Sequence, residues 1–226
     1  MSLATPPSSA RAAVCALAGV ALAAGVLALG SMTSAHAGQP GSSGRGARTH
    51  RVVVRPVDGS GNPAPGWTVR RERHSSVSCD GTAPAAVDDD VLECFPSAEY
   101  LPACWKSHHR TALCLRDART RTLVRVHYTG DFETATAPEQ PSPQDLDLGD
   151  GQKCGIRVGG AWGQLPSHPH WVGFYSCTKG SVYGSPSGDG VNRSHPRWTV
   201  HVWRSGTKDR VTVRGVDTAY FVGTAH

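Results

Sequence analysis

The amino-acid sequence predicts an all-β fold, a sandwich or barrel stabilised by disulfides. Wherever the 226-residue chain shows a hydrophobic period, that period is two residues, and no window has the 3.6-residue period of a long amphipathic helix. Many short strands separated by turn residues are typical of sandwiches and barrels. Six of the seven cysteines lie beyond an apolar N-terminal leader, and an even number in an exported chain indicates a disulfide framework.

The first 37 residues have the pattern of a secretory signal peptide. Arg11 precedes an apolar run from Ala12 to Leu29, and the small-residue motif Ala35-His36-Ala37 follows. We expect cleavage after Ala37, no transmembrane segment in the cleaved chain, and a secreted or extracellular protein, with association to the cell envelope left open. Residues 38–50, rich in Gly and Ser, predict a disordered tail.

The remainder of the chain divides into two β-rich halves, residues 51–130 and residues 145–226. Residues 131–144 are rich in Pro, Ala and Thr, have no apolar periodicity and predict a linker. Each half has cysteines followed by a Val-rich strand, so a distant duplication is one interpretation. Whether the halves pack around one core or two is left open.

Alternation of apolar and polar residues defines the strands. In the segment 119–128 the even-numbered residues are Thr, Val or Tyr, the odd-numbered ones are Arg or His, and Leu123 is the exception. Two further alternating segments, 198–204 and 210–214, flank turn residues and predict a hairpin. We also expect strands at 52–54, 91–95, 111–115, 152–158, 172–177 and 219–222.

Six cysteines allow fifteen disulfide connectivities. Neither a Cys-x-x-Cys motif nor a zinc-like Cys/His spacing is present, so structural bridges are favoured over thiol chemistry or metal binding. Such bridges would supplement a core drawn from a chain with only four Phe and two Met. Sequence proximity favours three short loops, closed by Cys79–Cys94, Cys104–Cys114 and Cys154–Cys177.

The segment 119–128 also has a basic face. Arg119, Arg121 and Arg125 point to one side of an ideal strand and are our candidate anion-binding residues, for a cell-wall polymer or another polyanion. Ordinary solvated arginines are the alternative interpretation. The net charge of +5 is too modest to indicate a nucleic-acid partner.

Histidines and tryptophans supply the other candidates. His168 and His170 have the H-x-H spacing of weak candidate metal ligands, but zinc needs further ligands that the sequence does not place. We therefore expect neither a metal nor a cofactor. Trp162 and Trp171 lie among Gly and Pro, where their rings are either exposed for stacking on sugars or packed in the core.

Several segments resemble one group of proteins. The stretch CFPSAEYLPACWKSHHRTALCLRDARTRTLVR, followed by DGQKCGIRVGGAWG, PRWTVHVW and TAYFVGTA, is similar to uncharacterised secreted cysteine-containing proteins of mycobacteria and related actinobacteria. The likeness covers most of the chain from about Val77 onward. It implies secretion and carries over no activity, ligand or catalytic residue. Its most recognisable positions are Cys94, Cys104-Trp105, Cys114-Leu115-Arg116-Asp117 and Trp198-Thr199-Val200.

The sequence favours a secreted, non-catalytic binding module or cell-envelope-associated protein. Gly184–Gly188 has Pro at the nucleophile position of the G-x-S-x-G motif, which disfavours a serine hydrolase. A secreted hydrolase or metal-dependent enzyme using histidines is the first alternative, and it would need His168, His170 and an acidic residue in one concave pocket. The second alternative is an inhibitory or structural module that acts on a secreted partner through an exposed loop such as Trp105 to Leu113.

Overall fold

Fourteen β-strands form the secondary structure of the described part of the chain. The structure is a computed structural model that describes residues 48–71, 76–95, 100–159, 162–204, 207 and 210–226. These residues contain no helix, so the predicted all-β fold is confirmed. The strands are β1 His50–Val54, β2 Thr68–Arg71, β3 Ser78–Thr82, β4 Leu92–Phe95, β5 Leu101–Lys106, β6 Thr111–Asp117, β7 Thr122–His127, β8 Asp145–Leu148, β9 Lys153–Ile156, β10 Val172–Cys177, β11 Gly180–Gly184, β12 Val191–Asn192, β13 Thr199–Trp203 and β14 Val211–Val222.

The first sheet has six strands in the order β2-β7-β6-β5-β4-β3. Neighbouring strands are antiparallel except for the parallel pair β2 and β7. The sheet closes on itself because Val77, just before β3, forms a bridge with Tyr128, just after β7. The Val77 N–H donates to the His127 carbonyl at 2.9 Å across this seam.

The second sheet has eight strands in the order β1-β14-β8-β9-β10-β11-β13-β12. The long strand β14 pairs with β13 through Val211–Gly215 and with β8 through Val216–Tyr220. Six strands, β8 to β11 with β13 and β14, therefore form a closed ring, and closure removes the unpaired edges of the ring. Strand β1 runs parallel to the last part of β14.

Three apolar clusters fill this architecture. One is built from the first sheet alone and includes Val124, and another is built from the second sheet alone and includes Tyr175 and Phe221. The third joins the sheets, since Leu123 of β7 belongs to it together with Val222 of β14. Adjacent residues Leu123 and Val124 are both buried because β7 has an apolar cluster on each face, which accounts for the break in the predicted alternation.

The segment before β1 belongs to the fold. Thr49 is buried, and its hydroxyl donates to the Val216 carbonyl at 2.7 Å. Residues 48–50, placed by the sequence in a disordered tail, are thus held by hydrogen bonds, and β1 pairs with the second sheet rather than with the first half of the chain. The predicted signal peptide, residues 1–37, and the rest of the predicted tail lie outside the described residues.

Residues 131–144, the predicted linker, contain no strand but are hydrogen-bonded along their length. The Ala135 N–H donates to Asp90 Oδ1, the Ser142 N–H to the Pro84 carbonyl, and the Gln144 N–H to the Tyr220 carbonyl. The connection between the two sheets is therefore a packed segment with partners in both.

Three disulfides are present: Cys79–Cys94, Cys104–Cys114 and Cys154–Cys177. These are the pairings favoured by sequence proximity, and each joins directly opposed residues on adjacent antiparallel strands. Such a set of structural disulfides is typical of proteins outside the cytoplasm. Within the described residues, no helix has the length and hydropathy needed to span a membrane.

Candidate anion-binding site

The candidate site forms where the segment before β1 meets the segment before β13. The Thr49 N–H donates to the Pro196 carbonyl at 3.0 Å, and the Trp198 N–H donates to the Thr49 hydroxyl at 2.8 Å. Because the same hydroxyl also donates to Val216, the two segments are fixed against each other and against β14. The backbone around the site is thus ordered by hydrogen bonds that do not use its charged side chains.

Basic side chains converge on this junction. They surround a pocket of about 400 Å³, which we call the basic pocket. The Arg51 guanidinium lies 4.8 Å from the ring centre of Phe221 and 5.9 Å from that of Trp198, and the Arg193 guanidinium lies 5.1 Å from Trp198. These cation–π contacts hold the two guanidinium groups near the same indole. The residues lining the pocket are Arg48, Thr49, Arg51, Arg193, Ser194, His195, Pro196 and Trp198.

The charge of the basic pocket is only partly compensated. Arg193 pairs with Asp189 through both of its terminal nitrogens, so much of its charge is neutralised. Arg48 and Arg51 have no acidic partner in the part of the chain that the structure describes, and none of the lining residues is acidic. An open pocket with uncompensated guanidinium groups attracts anions, and two such groups match phosphate or carboxylate oxygens.

The three arginines selected from the sequence have different surroundings. Arg119 pairs with Asp145 and Asp147, and Arg125 donates to the hydroxyls of Ser107 and Thr111. Arg121 is exposed and has a φ of 51° in the turn before β7. Because β7 begins only at Thr122, the alternation counted from residue 119 runs through a turn and does not define one face of a strand.

His168 and His170 also have different surroundings. The His168 ring lies 4.0 Å from the ring of Trp171, whose other neighbour is His201 at 4.8 Å. Burial, reinforced by the nearby His168, lowers the pKa of His201. His170 is exposed and lines a cleft together with Trp171. In the described part of the chain, the one group of residues with metal-ligand spacing is Cys94, Cys104 and Cys114, whose sulfurs are committed to disulfides.

The two tryptophans considered for sugar stacking are packed against their own chain. Trp162 covers Gly173 so closely that a Cβ there would lie 1.8 Å from the indole, and Arg157 lies over the same ring system at 5.2 Å. Trp171 contacts two histidine rings. These contacts engage part of each indole, and both residues remain partly exposed.

The loop between Cys104 and Cys114 is mostly buried at its ends. Trp105 and Leu113 belong to the cluster between the sheets, whereas His108, His109 and Arg110 at the tip are exposed. His109 and Arg110 both have left-handed backbone conformations, with φ of 54° and 55°. The exposed part of this loop is therefore a short turn.

Sequence reasoning missed the basic pocket because its residues are distant along the chain. Arg48 and Arg51 lie in or beside a segment interpreted as a tail, and Arg193 and His195 lie in a loop without periodicity. The available signal was the concentration of basic residues in both segments, which by itself does not indicate that they meet. Comparison with protein-family models, with curated proteins and with solved structures finds no match to this chain.

Proposed function

We propose that this protein is a secreted, non-catalytic binding module that associates with the cell envelope by holding an anionic group of an envelope polymer in the basic pocket. The observation that carries the proposal is the convergence of Arg48, Arg51 and His195 beside Trp198 with no carboxylate in the lining. Guanidinium groups bind phosphate and carboxylate oxygens through paired N–H donors. The three disulfides and the leader sequence support secretion.

The chemistry of the basic pocket favours binding over acid–base catalysis. Its arginines remain protonated throughout the physiological pH range and therefore do not exchange protons with a substrate. The hydroxyl of Thr49 is engaged on both sides, as acceptor from Trp198 and as donor to Val216. The groups that remain to meet a ligand are the guanidinium N–H donors, the imidazole of His195, the hydroxyl of Ser194 and the aromatic surface of Trp198, and none of the lining residues is a carboxylate that would pair with the imidazole.

The test compares two double variants that lose equal charge. Arg48→Gln with Arg51→Gln removes two guanidinium groups from the basic pocket, whereas Arg70→Gln with Arg71→Gln removes two exposed ones from β2 of the first sheet. On immobilised polyphosphate we expect the pocket variant to elute at lower salt, with the slope of log affinity against log salt reduced by about two. The β2 variant should elute with wild type.

Two outcomes would count against the proposal. Equal elution of wild type and both double variants would remove the basic pocket as the binding site. An equal shift for the two double variants would mean that retention depends on overall charge alone. A parallel column of polygalacturonate distinguishes a preference for phosphate from one for carboxylate, and circular dichroism verifies that each variant is folded.

A further inference from the structure

Strand β1 has a free edge. It is the first strand in the order of the second sheet, and among the strands that the structure describes it pairs only with β14. On the β14 side the Val54 carbonyl accepts from the Gly223 N–H at 2.9 Å. Backbone groups of successive strand residues point to opposite sides, so those of Val52 also face β14, whereas those of Arg51 and Val53 face outward.

This outward edge is already paired at one point. Thr49 directly precedes β1, and its N–H donates to the Pro196 carbonyl at 3.0 Å. Within the described part of the chain, no backbone hydrogen bond extends this pairing to Arg51 or Val53. Both residues are exposed, Val53 by 40%. Unpaired N–H and C=O groups on an exposed edge are a template for another extended chain.

The open part of the edge begins at the basic pocket. Thr49, Arg51 and Pro196 all line the pocket, which therefore lies where the segment before β13 contacts the start of β1. Arg51 contributes its side chain to the pocket and its backbone to the edge. Val53 is about 7 Å farther along the strand. A single extended ligand is long enough to reach both the pocket and the edge.

The charge beside this edge selects the partner. Pairing of two β1 strands from two copies of the chain would bring the uncompensated charges of Arg48 and Arg51 near their own copies, which is unfavourable. A chain that ends in a carboxylate compensates these charges instead. We propose that the β1 edge binds an extended peptide whose C-terminal carboxylate lies in the basic pocket. The peptide runs antiparallel to β1, because its carboxyl end lies at the start of the strand.

This inference rests on the proposed function, since it names the anionic group that the basic pocket takes. The group is the terminal carboxylate of a peptide, as carried by an envelope polymer with peptide branches. The pocket supplies charge recognition, and the β1 edge supplies main-chain hydrogen bonds that do not depend on the side chains of the peptide.

Amide hydrogen exchange tests the edge directly, with acetyl-Ala-Val-Ala-Val bearing a free carboxylate as the probe. In the free protein we expect the Arg51 and Val53 amides to exchange faster than those of Val52 and Val54, which face β14. Peptide at ten times its dissociation constant should slow exchange at Arg51 and Val53 by about tenfold. Val52 and Val54 are the internal controls for a general change in stability.

Modified peptides separate the two parts of the site. N-methylation of successive peptide residues should weaken binding alternately, by roughly fivefold where the N–H faces β1 and little at the next residue. The C-terminally amidated peptide should bind wild type roughly tenfold more weakly than the acid. This difference should disappear in the variant that combines Arg48→Gln with Arg51→Gln.

The inference is overturned if the peptide does not slow exchange at Arg51 and Val53, if acid and amide bind equally, or if methylation has no alternating effect. Protection of these amides without peptide also contradicts it, and protection that increases with protein concentration would assign the edge to a second copy. The proposed function is judged separately, by the elution of the same double variant from polyphosphate.

Discussion

Arg119 shows how a single side chain can link two sheets. Its Nε donates to Asp147 Oδ1 at 2.7 Å, and Nη1 lies 3.2 Å from Asp145 Oδ1. Nη2 donates to the carbonyls of Leu146 and Cys154 at 2.9 and 3.2 Å. The residue follows β6 of the first sheet, whereas the hydrogen-bond acceptors of its guanidinium lie on β8 and β9 of the second. An arginine that the sequence pattern assigned to a ligand is thus engaged within the chain.

We expect Arg119→Ala to lower the free energy of unfolding by about 3 kcal/mol at neutral pH, because it leaves the buried Asp145 carboxylate without its cation. Arg121→Gln, two residues away and exposed, should change it by less than about 0.5 kcal/mol. Urea denaturation of the two variants and wild type measures both values. If Arg119→Ala and wild type have similar free energies of unfolding, the pair of Arg119 and Asp145 contributes nothing to stability.

Asp145 makes stability depend on pH. Burial raises the pKa of its carboxyl from 3.8 to about 6, although Arg119 opposes the shift. Because the folded state then binds a proton more tightly than the unfolded state, this group stabilises the fold at low pH. Its contribution decreases as the pH rises through the window from about 4 to about 6.

Asp145→Asn should remove this dependence. The stability of the variant minus that of wild type is expected to increase by roughly 2 kcal/mol between pH 4 and pH 7. Denaturation of both proteins across this range gives the difference, in which the titration of other carboxyls cancels to first order. A difference that is constant with pH would mean that Asp145 has an ordinary pKa in the fold.

At the scale of elements, the disulfides connect strands that are already paired. Each bridge joins residues opposite one another on adjacent strands, so it fixes register as well as proximity. A slip of one residue would turn every side chain of the strand to the other face. The bridge between β9 and β10 closes the longest loop, with a sequence separation of 23 residues, against 15 and 10 for the others.

Replacing Cys154 and Cys177 together by Ala should destabilise the protein by about 3 kcal/mol, because the unfolded chain regains the entropy of that loop. The corresponding change at Cys104 and Cys114 should cost about 0.7 kcal/mol less, since its loop is shorter. Urea denaturation under non-reducing conditions ranks the variants. The reverse order would indicate that packing around the sulfurs outweighs loop closure.

At the scale of the whole molecule, the two sheets are interlocked rather than joined end to end. Strand β1, near the start of the described chain, pairs with β14 at its end. Bridges also link Asp58, which precedes β2, with Ala225, and Ala86, which lies between β3 and β4, with Val222, so two segments of the first half contact the last residues of the chain. All described residues accordingly fall within one compact unit. We infer that neither half has its complete set of partners without the other.

Some features of this fold could be predicted from the sequence, and others could not. Alternation at β13 identified a strand because β13 has one buried and one more exposed face. The alternating residues 211–214 also lie in a strand, β14, although Val213 is 57% exposed there. The same rule failed at residues 119–121, since a turn can contain alternating residues without forming a strand. It also treated Leu123 as an exception, because a count of period two assumes that only one face of the strand is buried.

The sequence by itself determined the all-β class and favoured, without fixing, the three disulfide pairings that close short loops, since both depend on residues close together along the chain. Only the tertiary structure decided that Arg48 and Arg51 meet Arg193 and His195. Closing each sheet into a ring brings distant loops to the same place, and no local pattern of hydrophobicity encodes which loops will meet. For this reason the basic pocket is a property of the closed fold.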